Sequence, residues 1–231
     1  MNQVDRRAAS QRDIASPRKP QRKNGREKYE KLLDALEVLI SEQDSNDISL
    51  ANLSQVAGVP AASVYHFFPS VDASLTALAE RHYRYFSETL LCRTDFSPLE
   101  SWQDLLFQIC DLIRSYYDDN TAALKVHFGP QSSWPLRQLQ LEHCGRLADT
   151  LLKNLSRDFE LPPSQDWRER FMLAVNISDA FLSQSYTRFG RITDGIAAEG
   201  KRAAAAYLKL YLGELPQRRQ HRFAPAGAFT T

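Results

Sequence analysis

Apolar side chains recur along this chain at steps of three and four residues and hardly anywhere at steps of two. Tyr29, Leu32, Leu33, Leu36, Leu39 and Ile40 open the pattern, and Tyr207, Leu208, Tyr211 and Leu212 close it. Such steps stack side chains on one face of an α-helix, whereas a half-buried strand needs strict alternation. The expected fold class is therefore all-α. Helices are predicted over residues 26–41, 50–57, 61–68, 71–91, 98–118, 120–127, 133–157, 164–189 and 194–213.

The chain of 231 residues is long enough to bury a sizeable core, and 43% hydrophobic with 25% charged residues is the balance of a globular protein. Charges interrupt every long apolar run and the N-terminal stretch is polar and arginine-rich. A cytoplasmic protein with no membrane partner is expected on those grounds. Cys92, Cys110 and Cys144 include no Cys-x-x-Cys pair, so neither a disulfide framework nor a zinc site is indicated; all three read as buried thiols. No cofactor or metal is expected.

Net charge is only +1, but it is unevenly spread. Residues 1–31 carry ten basic side chains against four acidic ones, a net +6, which leaves −5 for the remainder. A basic segment ahead of an acidic body suits a polyanion, because phosphates neutralised by Lys and Arg release their counterions. Pro17, Pro20 and Gly25 lie within residues 1–25, which read as a disordered arm. Residues 26–70 read as a first domain, 71–94 as a linking helix, 95–215 as a larger second domain and 216–231 as a flexible tail.

The most specific local pattern is Ser49-Leu-Ala-Asn-Leu-Ser-Gln-Val-Ala-Gly-Val-Pro-Ala-Ala-Ser-Val-Tyr-His-Phe-Phe-Pro-Ser70. Ser49 is placed to cap a short helix, Gly58 to end it in a left-handed conformation, and Val59 to be buried inside the turn. Ala61 to Phe68 then form a second short helix, stopped by Pro69 and Ser70. Two short helices joined this way form a helix-turn-helix, whose second helix can enter a DNA major groove while the first crosses the backbone.

In this stretch the chain resembles the tetracycline-repressor (TetR) family of regulators. Ser49, Leu53, the Ala57-Gly58-Val59 turn, the Ser63-to-Ser70 run and the apolar helix after it carry the resemblance. It implies a transcriptional repressor: a homodimer that holds a palindromic double-stranded DNA operator and is released from it by a small-molecule effector. On that resemblance Ser63 and Tyr65 reach phosphates or base edges, His66 and Phe67 lie at the groove-facing surface beside Ala61 and Ala62, and Leu50 and Ala51 sit close to the backbone with Ser49. The family usually places a lysine where Val71 stands and often a basic residue where Ala51 stands. Residues 32–91 hold two basic side chains against eight acidic ones. The basic arm is therefore expected to supply phosphate attraction, with Lys19, Arg22, Lys23 and Arg26 nearest the duplex.

In the family the C-terminal helices enclose the effector, and the last two pair with those of a second subunit. The helix over 164–189 and the Ala203-to-Ala206 run are the candidate dimer seam. A sensor cavity is mostly apolar with a few orienting polar groups. Candidate lining residues are Trp102, Phe107, Cys110, Tyr117, His127, Phe128, Trp134, His143, Asn176, Asp179 and Tyr186, whose aromatic weighting points to an apolar or aromatic effector.

An enzyme is disfavoured: no His-Glu-x-x-His, Gly-x-Ser-x-Gly or glycine-rich phosphate loop occurs. The alternative is a helical small-molecule-binding or interaction protein that has lost DNA binding, which the absent lysine at Val71 and the acidic body keep open. A redox sensor would need an exposed thiol of low pKa, and only Arg93 beside Cys92 argues in that direction.

Overall fold

The computed structural model describes residues 16–42, 48–96, 99–130, 133–163 and 166–213. Among them are nine α-helices: α1 Lys23–Glu42, α2 Leu50–Ala57, α3 Ala61–Phe67, α4 Val71–Tyr85, α5 Trp102–Asp119, α6 Thr121–Phe128, α7 Trp134–Asp158, α8 Trp167–Phe189 and α9 Asp194–Leu212. The described chain is all-α, as the three-to-four-residue periodicity predicts. No described helix is long and apolar enough to cross a membrane.

Local chemistry sets most helix starts. The Ser49, Ser70 and Ser133 hydroxyls accept from the amides of Asn52, Ala73 and Leu136 at the starts of α2, α4 and α7. Ser101 and Asp104 form a reciprocal capping box on α5, and the Asp166 carboxylate accepts from the Glu169 amide on α8. Each such cap satisfies amides that no helical carbonyl can reach, and losing one costs about 1 kcal/mol.

Two cores organise the helices. Leu32, Leu36, Ile40, Leu53, Val64, Phe68 and Leu78 are fully or almost fully buried in the N-terminal one. Truncating any of the leucines to alanine would cost about 2–5 kcal/mol. The second core, built on α5, α7, α8 and α9, is centred on Leu105, Ile109, Ala148, Leu151, Phe171 and Leu208. One helix straddles the two cores: Ala123 and Phe128 of α6 join the second. Ala122 and Val126 of α6 and Leu136 of α7 belong to the N-terminal core, so α6 bridges the two.

Two expectations need correction. Residues 23–25 are the first turn of α1, not part of an arm, and Gly25 sits in that turn with Pro20 lying over it. A Cβ at position 25 would stand 3.1 Å from the proline Cβ, so close packing offsets the roughly 1 kcal/mol that glycine costs a helix. The segment before α1 is also held: the Arg18 amide donates to the Phe67 carbonyl at 2.8 Å and Lys19 pairs with Glu80. Residues 1–15 of the expected arm and the expected tail 216–231 lie outside the described residues. Beyond Tyr85, α4 continues as a π-helical segment, Phe86–Leu91, in which the wider winding carries the linking helix across Tyr116 and His143.

Candidate DNA-binding surface and effector cavity

The two short helices turn on Gly58, whose φ of 61° is the left-handed conformation that only glycine adopts without strain. Behind it the Ser54 hydroxyl donates to the Val59 carbonyl at 2.7 Å, and the Val59 amide returns a bond to the Ser54 carbonyl at 3.2 Å. Val59 is buried, as a residue inside the turn should be. This fixes α3 against α2. Val64 and Phe67 of α3 turn inward, the latter edge-on to Tyr29 of α1 with ring centroids 5.5 Å apart.

The opposite face of α3 is open. Tyr65 is 53% exposed, Ala61, Ala62 and His66 are exposed, and Ser63 is half-buried. Ser49 and Ala51 are exposed at the start of α2. Two of the expected contact residues stand elsewhere. Phe67 and Leu50 are buried at 6% and 7% exposure, because at helical spacing from Val64 and Leu53 they share the core-facing side. Arg22, Lys23 and Arg26 are exposed around the start of α1, while Lys19 keeps a largely open side chain even in its pair with Glu80.

The acidity of this domain is partly compensated from within. Arg81 of α4 pairs with Glu30, Asp34 and Glu37, all on α1.

Inside the C-terminal part, Cys110, Tyr117, His127, His143 and Asp179 converge on one cavity. Its apolar wall comes from Leu106, Ile109, Leu147, Val175 and Leu182. Its volume is about 20 Å³, room for one water at most, so a larger occupant needs its walls to part.

A chain of hydrogen bonds runs along one side. The Tyr83 hydroxyl of α4 lies 2.6 Å from His127 Nδ1, and His127 Nε2 lies 3.0 Å from Asp179 Oδ1 on α8. A carboxylate can only accept, so Nε2 carries a proton, and in the neutral imidazole Nδ1 then accepts from the phenol. Burial and the nearby Asp179 push the Tyr83 phenol well above its ordinary pKa, which keeps it a donor. The Tyr83 ring also stacks on His143, centroids 4.4 Å apart and 8° from parallel. Burial lowers the His143 pKa to about 3, so that imidazole is neutral. Burial raises Cys110 to about 11 and Cys144 to about 12, which leaves both as unreactive thiols. Cys92 was expected to be buried and is instead exposed, its thiol against the Ser87 carbonyl at 3.2 Å. Its position past the π-helical segment takes it off the buried face.

The other expected lining residues stand outside the cavity. Trp102 is core, its indole N–H donating to the Gly213 carbonyl at 3.2 Å, which ties the start of α5 to the end of α9. Phe128 is buried between Tyr117 and Tyr186. Phe107 lies under Lys201, and the Asn176 amide bonds its own helix at the Met172 carbonyl. Trp134 is 60% exposed, because it opens α7 on the outer side. Tyr83 and Ser178 were not anticipated. Tyr83 follows His82 on the linking helix, and nothing local distinguishes its direction. Of the Ala203-to-Ala206 run, Ala204 is packed within the chain and Ala206 is exposed. Among the described residues no cluster of His, Cys, Asp and Glu has the makings of a metal site.

Residues 100–212 match the family described as tetracyclin repressor-like, C-terminal domain. No curated protein matches the chain. Among solved structures it is similar to a TetR-family transcriptional regulator from Streptomyces coelicolor, at 23% identity and TM-score 0.54, over 81% of this chain and 99% of that one. A TetR regulator from Rhodococcus sp. RHA1 aligns at 16% identity and TM-score 0.59, covering 79% and 96%. The fatty acid degradation regulator FadR from Bacillus halodurans aligns at 14% and 0.60, covering 82% and 97%. The fold is that of the TetR-type regulators.

Proposed function

We propose that this chain, whose residues 100–212 belong to the tetracyclin repressor-like C-terminal family, is a transcriptional regulator that releases a palindromic operator when a small molecule enters the Asp179 cavity. The observation that carries the reading is the exposed α3 face: Ala61, Ala62, Tyr65 and His66 stand outward on a helix whose other side is locked into the core by Val64 and Phe67. A rigid amphipathic helix of that kind presents side chains to base edges, and Ser49, Ala51 and Ser63 flank it for phosphate contact. Arg22, Lys23 and Arg26 add the cationic charge that the helix-turn-helix lacks.

The effector fitting this cavity is compact and mostly apolar with one hydrogen-bonding group, which meets His127 and Asp179. Regulation requires that it bind one conformation better than another. Because Tyr83 belongs to the helix leading from the first domain, an occupant that displaces His127 from Asp179 also disturbs that helix. The subunits of a dimer would then change the separation of their two α3 helices, which must fit half-sites a whole number of helical turns apart. Leu173 and Phe189 on α8 and Leu210 on α9 are exposed apolar side chains, Leu210 at 77%, and support a dimer seam there. The decisive experiment is gel retardation of the protein's own upstream DNA, with and without a panel of small apolar compounds. Sequence-specific retardation relieved by a compound supports the proposal. Absence of specific retardation would favour a helical ligand-binding protein, and enhancement by the compound would reverse the sign of regulation.

A further inference from the structure

A second opening lies outside the cavity just described, where the first domain meets α5. It is a cleft of about 470 Å³ between α1, α4 and α5, bordered by Glu37, Arg81, His82, Tyr85, Tyr116 and Asp119. Leu90 and Leu112 give it an apolar floor. That volume lies in the range of small-molecule sites, against about 20 Å³ for the Asp179 cavity.

Among the described residues, one polar atom at this cleft has no hydrogen-bond partner. His82 is only 6% exposed, its Nδ1 lies 2.7 Å from the Tyr116 hydroxyl, and its Nε2 is buried without a hydrogen bond. Nε2 is 3.9 Å from Glu37 Oε1, too far for a direct bond. A nitrogen donor set between the two atoms would stand about 2.9 Å from both and close the gap with two hydrogen bonds. With Nδ1–H donating to the Tyr116 oxygen, Nε2 presents the lone pair that such a donor needs.

Charge decides what carries that donor. Among the described residues bordering the cleft Arg81 is the one cation, and it already faces three carboxylates, Glu30, Asp34 and Glu37. Asp119 adds a fourth. An anionic ligand would meet net repulsion, whereas a cation is drawn in. Tyr85 and Tyr116, with ring centroids 6.2 Å apart, offer π-faces to a flat body or its charge.

We propose that this interdomain cleft is a second ligand site, taking a compact organic cation, a protonated amine on an aromatic or apolar body, whose N–H bridges Glu37 and His82. Burial and Arg81 lower the His82 pKa to about 4, so the imidazole receives the cation as a neutral acceptor. Since Glu37 stands on α1, His82 on α4 and Tyr116 and Asp119 on α5, an occupant bears on the angle between these helices. The site is independent of whether the Asp179 cavity binds the effector.

Calorimetric titration of the full-length protein with tryptamine tests it, with the neutral indole-3-ethanol and the anionic indole-3-acetate as counterparts. One tryptamine per chain is expected, at millimolar affinity or tighter, with both counterparts weaker by about tenfold. E37Q and D119N should each weaken tryptamine about fivefold or more, as loss of one charge-assisted contact does, and D179N should leave it unchanged. D119N guards against misfolding, because Asp119 is exposed and helix-terminal. Equal binding of the three indoles, no saturation by tryptamine, indifference to both E37Q and D119N, or loss of binding in D179N would each overturn the proposal.

Discussion

Replacing Tyr83 by phenylalanine removes one oxygen from the middle of the protein and leaves the shape of the side chain intact. The ring still stacks on His143 at 4.4 Å, so the change isolates the 2.6 Å bond to His127 Nδ1. His127 is itself buried at 9% exposure, so bulk solvent does not reach the vacated lone pair. An unsatisfied buried acceptor costs about 1–3 kcal/mol, and in a chain of this size each kcal/mol lowers Tm by about 2–4 °C. The Y83F protein should therefore melt several degrees lower than the wild type. Replacing Asp179 by alanine removes the other end of the same imidazole's bonding, the 3.0 Å contact at Nε2. If the three side chains act as a unit, the double variant loses less than the sum of the two singles, by about 0.5 kcal/mol or more, because a ring released at one end already holds the other less well. Urea unfolding of the four proteins at pH 7.5 measures this coupling. Additivity within about 0.3 kcal/mol would refute the idea that the linking helix and α8 communicate through His127.

Three further outcomes are expected. Y65A and H66A should weaken operator binding about tenfold or more with Tm unchanged, since both side chains are exposed, whereas F67A should cost about 3–5 kcal/mol of stability; equal effects of all three on folding would contradict the assigned orientation of α3. Neutralising Arg22, Lys23 and Arg26 to glutamine should flatten the salt dependence of operator affinity by up to about 0.9 in log–log slope per lost phosphate contact, and an unchanged slope would remove these residues from the interface. His143, neutral in the fold with a pKa near 3 against 6.5 when unfolded, makes the unfolded state the better proton acceptor between those values. Stability is complete above pH 6.5 and is lost as pH falls towards 3, by about 2 kcal/mol from this group between pH 7.5 and 5, and H143F should flatten that part of the profile in denaturant titrations.

Much of the fold could be read from the chain because it is written in short-range chemistry. Ser49, Gly58 and Val59 announce two crossed helices, and the structure adds to the sequence only which of their side chains point outward. There the run Tyr65-His66-Phe67-Phe68 was ambiguous. Four adjacent aromatic residues on a helix cover more than half a turn, so some must face in, and the partner that receives Phe67, Tyr29 on α1, is thirty-eight residues away.

The Asp179 cavity was half legible. Cys110, Tyr117, His127, His143 and Asp179 are chemically conspicuous and line one cavity, but Trp102, Phe128 and Trp134 are as conspicuous and go elsewhere. Composition cannot separate an aromatic that lines a cavity from one that fills a core, because both are buried for the same hydrophobic reason.

By itself the sequence settled the periodicity, the caps and the turn, each of which depends on residues within about four positions of one another. Only the tertiary structure settled which distant groups share a hydrogen bond: Tyr83 with His127, His127 with Asp179, Arg81 with three carboxylates of α1. Helix packing decides those pairings, and the direction in which a long helix finally presents each side chain depends on every element it packs against.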